Sequence, residues 1–70
     1  GDPGAVVSQT TTQGTILEVH PNAYLVALTT PPAQVRVLRT YALTQGATVT
    51  LTVTEHASGV VRYALQNRQE

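Results

Sequence analysis

The strongest pattern of apolar and polar positions in this chain lies at residues 47–54, where apolar residues alternate with threonines. Val49, Leu51 and Val53 are separated by single threonines. Because successive side chains of a strand point to opposite faces, this alternation predicts a half-buried strand with one wet face. The threonine face is either a solvent-exposed surface that favours β structure or, since few charges guard it, a flat surface suited to pairing with another chain.

Apolar runs on either side of a turn signal predict a hairpin earlier in the chain. Residues 15–20 and 24–30 are rich in β-branched and apolar side chains and flank Pro21-Asn22. Proline presets φ and asparagine tolerates the left-handed region, so this pair favours a turn. Pro21 also ends the first strand, because it has no N–H to donate to a ladder.

Two further strands are predicted at residues 34–39 and 60–66, each short and bounded by turn residues. Residues 40–46 are too few for a full helix, although they could form a single helical turn closed by Gly46. Five short strands without a crossover helix predict an all-β fold, either a barrel or a small sandwich. A barrel is favoured because closure removes the edges that a short apolar sheet would expose.

The predicted barrel spans residues 14–66, and both ends of the chain lie outside it. Residues 1–13 contain two glycines, one proline and a run rich in glutamine and threonine. They are predicted to form a flexible leader, in which residues 5–7 could add a short edge strand. Residues 67–70 are predicted to form a polar C-terminal end.

Size and composition limit the ways in which such a fold is stabilised. Seventy residues make at most one domain, and a domain this small buries only about 60% of the surface that its unfolded chain exposes. The chain has no cysteine, so it has neither disulfides nor thiolate ligands for a metal. Stability must therefore come from a well-bonded closed sheet or from self-association.

The distribution of charge is uneven although the formal net charge is zero. Nucleic-acid-binding proteins usually carry a basic excess, which this chain lacks. Between Val19 and Thr54, however, the only charged side chains are Arg36 and Arg39, which leaves room for a local positive patch. No apolar run approaches the roughly 20 residues that span a bilayer, so no membrane partner is expected.

Few titratable side chains could support catalysis or metal binding. Glu18 and His20 share a strand face about 7 Å apart, whereas Glu55 and His56 are adjacent and point to opposite faces. A metal site usually needs three or four ligands. We therefore expect no enzyme activity, no catalytic residues, no metal and no cofactor, and we interpret these groups as solvated residues at strand ends.

One constellation of arginines and tyrosines resembles a nucleic-acid-binding surface. Proteins that bind single strands stack bases on exposed aromatic rings and follow the backbone with cations. The arginines would contact phosphates or stack, and Tyr24 or Tyr41 would receive a base. The alternative is that the tyrosines pack in the core or at its rim. The candidate ligand-binding residues are Tyr24, Arg36, Arg39, Tyr41 and Arg62.

Three segments of the chain resemble the bacterial translation initiation factor one family, a compact group of S1-like OB-fold proteins. Gly14-Thr-Ile-Leu-Glu-Val-His-Pro-Asn-Ala23 is similar to the opening hairpin of that family, and residues 44–54 and 58–63 are similar to its last two strands. The resemblance implies a small five-stranded OB-like barrel. The middle of the chain is shorter than in the family and lacks the basic segment that would meet ribosomal RNA, so the resemblance bears on the fold.

Two functions stay open for such a barrel. OB-folds bind oligonucleotides through the face of strands two and three, which predicts a small non-catalytic module that binds single-stranded nucleic acid. The alternative is a protein–protein interaction or assembly module within a larger complex, because a neutral, threonine-rich surface suits pairing with another protein.

Overall fold

The computed structural model describes residues 4–66. The predicted polar C-terminal end and the first three residues of the predicted leader lie outside this range. Within it the chain forms antiparallel strands and no helix, so the described part holds no helix long and apolar enough to cross a membrane. The strands are β1 (Val6–Val19), β2 (Ala23–Thr29), β3 (Pro32–Leu38), β4 (Thr48–His56) and β5 (Val61–Leu65).

The strands form one sheet in the order β3-β2-β1-β4-β5. The central strand β1 pairs with β4 through its first part and with β2 through its last part. This change of partner curls the sheet strongly and brings the outer strands β3 and β5 into contact. The fold is therefore a small five-stranded OB-like barrel, which confirms the predicted fold class.

Gly14 lies where β1 changes partner, opposite Val49 of β4 and Leu28 of β2. A Cβ atom at this position would lie 2.5 Å from Val26 Cγ1 and 2.8 Å from the carbonyl oxygen of Ala27. Glycine is therefore required here because the backbone of β2 approaches too closely for any side chain. A shift in register just beyond this point, between Ile16 and Glu18, adds curvature to β1 in the manner of a β-bulge.

The core is formed by side chains that point inward from all five strands. Its members are Ile16, Tyr24, Val26, Leu28, Val37, Val49, Leu51 and Leu65. The predicted alternation in β4 is confirmed in its first half, where Val49 and Leu51 are buried, Thr48 is exposed and Thr50 is half-buried. Further along the strand Val53 is half-buried, as are its threonine neighbours. The predicted turn at Pro21-Asn22 is also present and is closed by a hydrogen bond of 2.9 Å from the His20 N–H to the Ala23 carbonyl.

The structure differs from the sequence-based expectations in two segments. Residues 6–13, predicted to be a flexible leader with a short edge strand, instead form the first part of the central strand and pair with β4. The predicted helical turn at residues 40–46 is absent. A turn closes there instead, in which the Ala47 N–H donates to the Thr44 carbonyl at 3.1 Å and Gly46 has a φ of 88°. Glycine tolerates this left-handed conformation without steric cost.

Candidate binding surface

Tyr24 is a core residue and is not available to stack a base. Its side chain is fully buried on the inner face of β2. The hydroxyl donates to the Tyr41 carbonyl at 2.7 Å and accepts from the Leu43 N–H at 2.8 Å. Tyr24 therefore anchors the β3–β4 connection to the core, and its predicted role as a ligand-binding residue is corrected by this burial.

Arg39 is exposed and covers the ring of Tyr24. Its guanidinium carbon lies 5.5 Å from the ring centroid, a distance at which a cation is attracted to an aromatic face. Its Nη1 donates to the His20 carbonyl at 3.1 Å. The side chain thus holds the β1–β2 turn against the barrel. One of its N–H donors and one face of its guanidinium group are engaged within the protein, which leaves fewer groups to contact a ligand.

Tyr41 is half-buried and packs against the core. Its hydroxyl donates to the Gln66 carbonyl at 3.1 Å, which ties the β3–β4 connection to the end of β5. Tyr24 therefore packs in the core and Tyr41 packs at its rim, as in the alternative interpretation of the tyrosines.

Arg36 and Arg62 are exposed on the outer face of the barrel. Arg36 lies opposite Leu25 in the β2–β3 ladder, and Arg62 lies opposite Thr54 in the β4–β5 ladder. Neither arginine has an ion pair within residues 4–66. Of the five predicted ligand-binding residues, these two are therefore exposed cations without an acidic partner in residues 4–66.

The titratable groups of residues 4–66 form no cluster that could hold a metal. His20 Nε2 lies 2.8 Å from Glu18 Oε1, so these two exposed residues share a face as predicted. His56 Nδ1 donates to the Gly4 carbonyl at 3.0 Å. Within residues 4–66 no three His, Cys, Asp or Glu side chains converge on one point.

The backbone of β1 shows which of its residues bond to β4. The Ile16 N–H donates to the Ala47 carbonyl at 2.9 Å, and the Ile16 carbonyl accepts from the Gly46 N–H at 2.8 Å. Both backbone groups of Ile16 therefore point toward β4. Because the backbone groups of successive strand residues point to alternate sides, the same holds for every second residue before Ile16. These residues are Ser8, Thr10, Thr12 and Gly14.

Gln9 and Thr11 consequently turn their N–H and C=O groups away from β4. β2 pairs with β1 only from Gly14 onward, and no other strand in the described chain pairs with this side of residues 6–13. Both residues are exposed. We call the outward N–H and C=O groups of Gln9 and Thr11 the open edge of β1.

The β1 side chains along the open edge, from Ser8 to Gln13, are polar and uncharged. The Gln9 amide donates to Thr54 Oγ1 at 3.4 Å and the Ser8 hydroxyl donates to Glu55 Oε1 at 3.3 Å, so the first part of β1 is also held to β4 through side chains. From Gly4 to Leu17 the chain has no charged residue. The edge thus lacks the lysines and prolines that usually block strand pairing.

A cavity of about 210 Å³ adjoins the open edge. It touches Thr10, Thr11 and Thr12, whose side chains alternate between the two faces of β1, so it reaches the backbone edge of the strand. Leu28, Thr30, Pro31, Val53 and Tyr63 form the rest of its lining. The cavity therefore offers an apolar floor and a rim of hydroxyl groups directly beside unpaired backbone groups.

Sequence reasoning missed this surface because it placed residues 1–13 outside the barrel. The signal that could have found it is the β-branched content of Val6-Val7 and of the three threonines at residues 10–12, with no glycine or proline between residues 5 and 13.

Comparisons of the chain with protein-family models, with curated proteins and with solved structures found no match.

Proposed function

We propose that the protein is a non-catalytic protein-interaction module that binds an extended segment of a partner at the open edge of β1. The observation that supports this is the pair of outward backbone positions, Gln9 and Thr11, each with an N–H and a C=O and no strand opposite. An extended segment laid along this edge would continue the sheet. In this mode of recognition the main-chain hydrogen bonds supply affinity.

The surroundings of the edge define the chemistry of the bound segment. Alternate side chains of an added strand point to the inner face, where the cavity begins, and to the outer face, which is lined by threonine and glutamine. No charged residue of β1 lies between Gly4 and Leu17 to pair with a charged ligand. A charged side chain buried beside Gln9 and Thr11 would lose its hydration without a charged partner on β1, so the segment is uncharged there. Glu55 of β4, which accepts from the Ser8 hydroxyl, would favour a cation only at the Ser8 end of the edge.

Nuclear magnetic resonance tests this proposal with a designed probe. The probe is an end-blocked peptide of alternating threonine and valine, with a lysine at each end outside the pairing region for solubility. Titration should shift the amide signals of Gln9 and Thr11 more than those of the outer face of β2 and β3. Shifts centred on Arg36, or no shift at millimolar peptide, would refute the proposed binding mode.

Two substitutions at one position provide the matched control. Thr11→Pro removes an outward N–H without removing a donor to β4, and proline is tolerated at an edge where its missing N–H faces solvent. Thr11→Val keeps both backbone groups and the β-branched shape. Peptide binding should be lost in T11P and retained in T11V, and equal binding by the two variants would contradict strand addition.

Binding of single-stranded nucleic acid is the second candidate function. It is favoured by the exposed Arg36 and Arg62, which have no acidic partner within residues 4–66. The burial of Tyr24 removes one of the two predicted stacking rings, so binding would rest mainly on phosphate contacts and would weaken with salt. Fluorescence anisotropy with single-stranded DNA and RNA at low salt tests it, and R36A/R62A should abolish any signal.

A further inference from the structure

We propose that the partner strand at the open edge is the β1 strand of a second copy, related to the first by a two-fold axis that passes beside Thr10. This inference rests on the proposed function and names its partner. A two-fold arrangement pairs the same surface of both copies, so it closes after two chains and leaves no further edge to propagate.

The hydrogen-bonding pattern fixes the register of this pairing. In an antiparallel pair, residues that exchange both backbone bonds lie directly opposite each other. Gln13 also turns its backbone groups away from β4, but it lies beside the end of β2, which pairs with β1 from Gly14 onward. Pairing within the open edge therefore places Gln9 of one copy opposite Thr11 of the other, and the reverse. Thr10 then faces its own symmetry mate in a non-hydrogen-bonded pair, and Ser8 lies opposite Thr12 of the second copy.

This register matches the limits of the edge at both ends. It needs outward groups only at Gln9 and Thr11, and beyond them the strand meets β2 at Gly14 and a register shift between Val6 and Ser8. A register centred on Thr11 would place the second strand opposite residue 13, beside the end of β2 at Thr29. The centre at Thr10 keeps the hydrogen-bonded part clear of that strand.

The side chains suit a second copy of the same strand. On the inner face the second strand would present only Ser8, Thr10 and Thr12, small hydroxyl-bearing side chains that fit a cavity of about 210 Å³ with a hydroxyl rim. Threonine pairs across strands are favourable, and no like charges oppose each other because β1 is uncharged before Glu18. The result would be a continuous sheet through β5, β4 and β1 of both copies.

Single cysteines read out this register, because the chain has no cysteine of its own. Non-hydrogen-bonded partners have Cα atoms about 4.5 Å apart, within the range that a disulfide spans. Thr10→Cys should therefore form a disulfide-linked dimer under mild oxidation. Ser8→Cys alone should not, because Ser8 and its symmetry mate would lie about 14 Å apart. A mixture of S8C and T12C chains should form the mixed disulfide.

Sedimentation equilibrium of the 70-residue chain provides the second readout. The wild type and T11V should rise with concentration from 7.4 kDa toward twice that mass, while T11P stays at 7.4 kDa. A wild type that remains monomeric at millimolar concentration overturns the second-copy inference. If it still binds the threonine–valine peptide in a manner that T11P abolishes, the proposed function stands while this inference fails. Dimers that T11P does not weaken, or equal cross-linking of S8C and T10C, also overturn it.

Discussion

The close approach of β2 to Gly14 predicts that Gly14→Ala destabilises the barrel. The new methyl group would lie 2.5 Å from Val26 Cγ1, 2.8 Å from the Ala27 carbonyl oxygen and 3.3 Å from Leu28 Cδ2. The Val26 methyl could rotate away, but the carbonyl belongs to a paired strand and cannot move without opening the β1–β2 ladder. Backbone contact therefore determines the sign of the effect.

The magnitude follows from two opposing contributions. Inserting a methyl group into a packed site costs about 1–3 kcal/mol. Replacing a glycine in a strand returns about 0.5–1 kcal/mol, because glycine loses more conformational entropy on folding. The net loss should be about 1–2 kcal/mol. A domain of 60–100 residues loses about 4–8 °C of Tm per kcal/mol, so Tm should fall by about 5–15 °C.

Thermal unfolding followed by circular dichroism measures this loss, and a double-mutant cycle locates its source. G14A, Val26→Ala and the double variant should be non-additive, because V26A removes one of the two clashes. The residual loss in the double variant reports the contact with the Ala27 carbonyl. A G14A protein as stable as the wild type would refute the close approach of the two strands.

Three further predictions concern single residues. Thr10→Pro should unfold the domain, because it removes an N–H that donates to β4. T11P should keep the circular dichroism spectrum of the wild type, because its missing N–H faces away from β4. Equal loss of folding in the two variants would contradict the assigned backbone directions. Tyr24→Phe should lower the free energy of unfolding by about 1–3 kcal/mol in urea, because two backbone partners lose the hydroxyl, and an unchanged midpoint would contradict those bonds. Arg39→Ala should lower the free energy of unfolding by about 1 kcal/mol, because it removes the contacts to Tyr24 and to the β1–β2 turn. A loss of DNA binding without a loss of stability would point to a ligand-binding role for Arg39 instead.

The elements with an apolar alternation could be predicted from the sequence. Val49 and Leu51 identified β4, and the β1–β2 hairpin followed from its Pro21-Asn22 turn. The first part of β1 could not be found in this way, because its inward-facing residues include Thr10 and Thr12. Threonine is polar, so this segment shows no alternation of apolar and polar residues. Pairing with β4, a long-range contact, makes this segment a strand.

The candidate binding residues were harder to predict than the fold. Tyr24 shares the inner face of β2 with Val26 and Leu28, so its burial was visible in the alternation once the strand was assigned. The outward direction of Gln9 and Thr11 was not visible, because it depends on which neighbour each backbone group meets. Only the register of β1 against β2 and β4 determines it.

Residue-resolved amide hydrogen exchange tests the open edge of β1 most directly. At low protein concentration Thr10 and Thr12, whose N–H groups point to β4, should be protected, while Gln9 and Thr11 between them should exchange rapidly. If β1 pairs with a second copy, Gln9 and Thr11 should gain protection as concentration rises. Rapid exchange throughout residues 6–13, as in a flexible leader, or uniform protection of all four amides at every concentration, would contradict this structure of the edge.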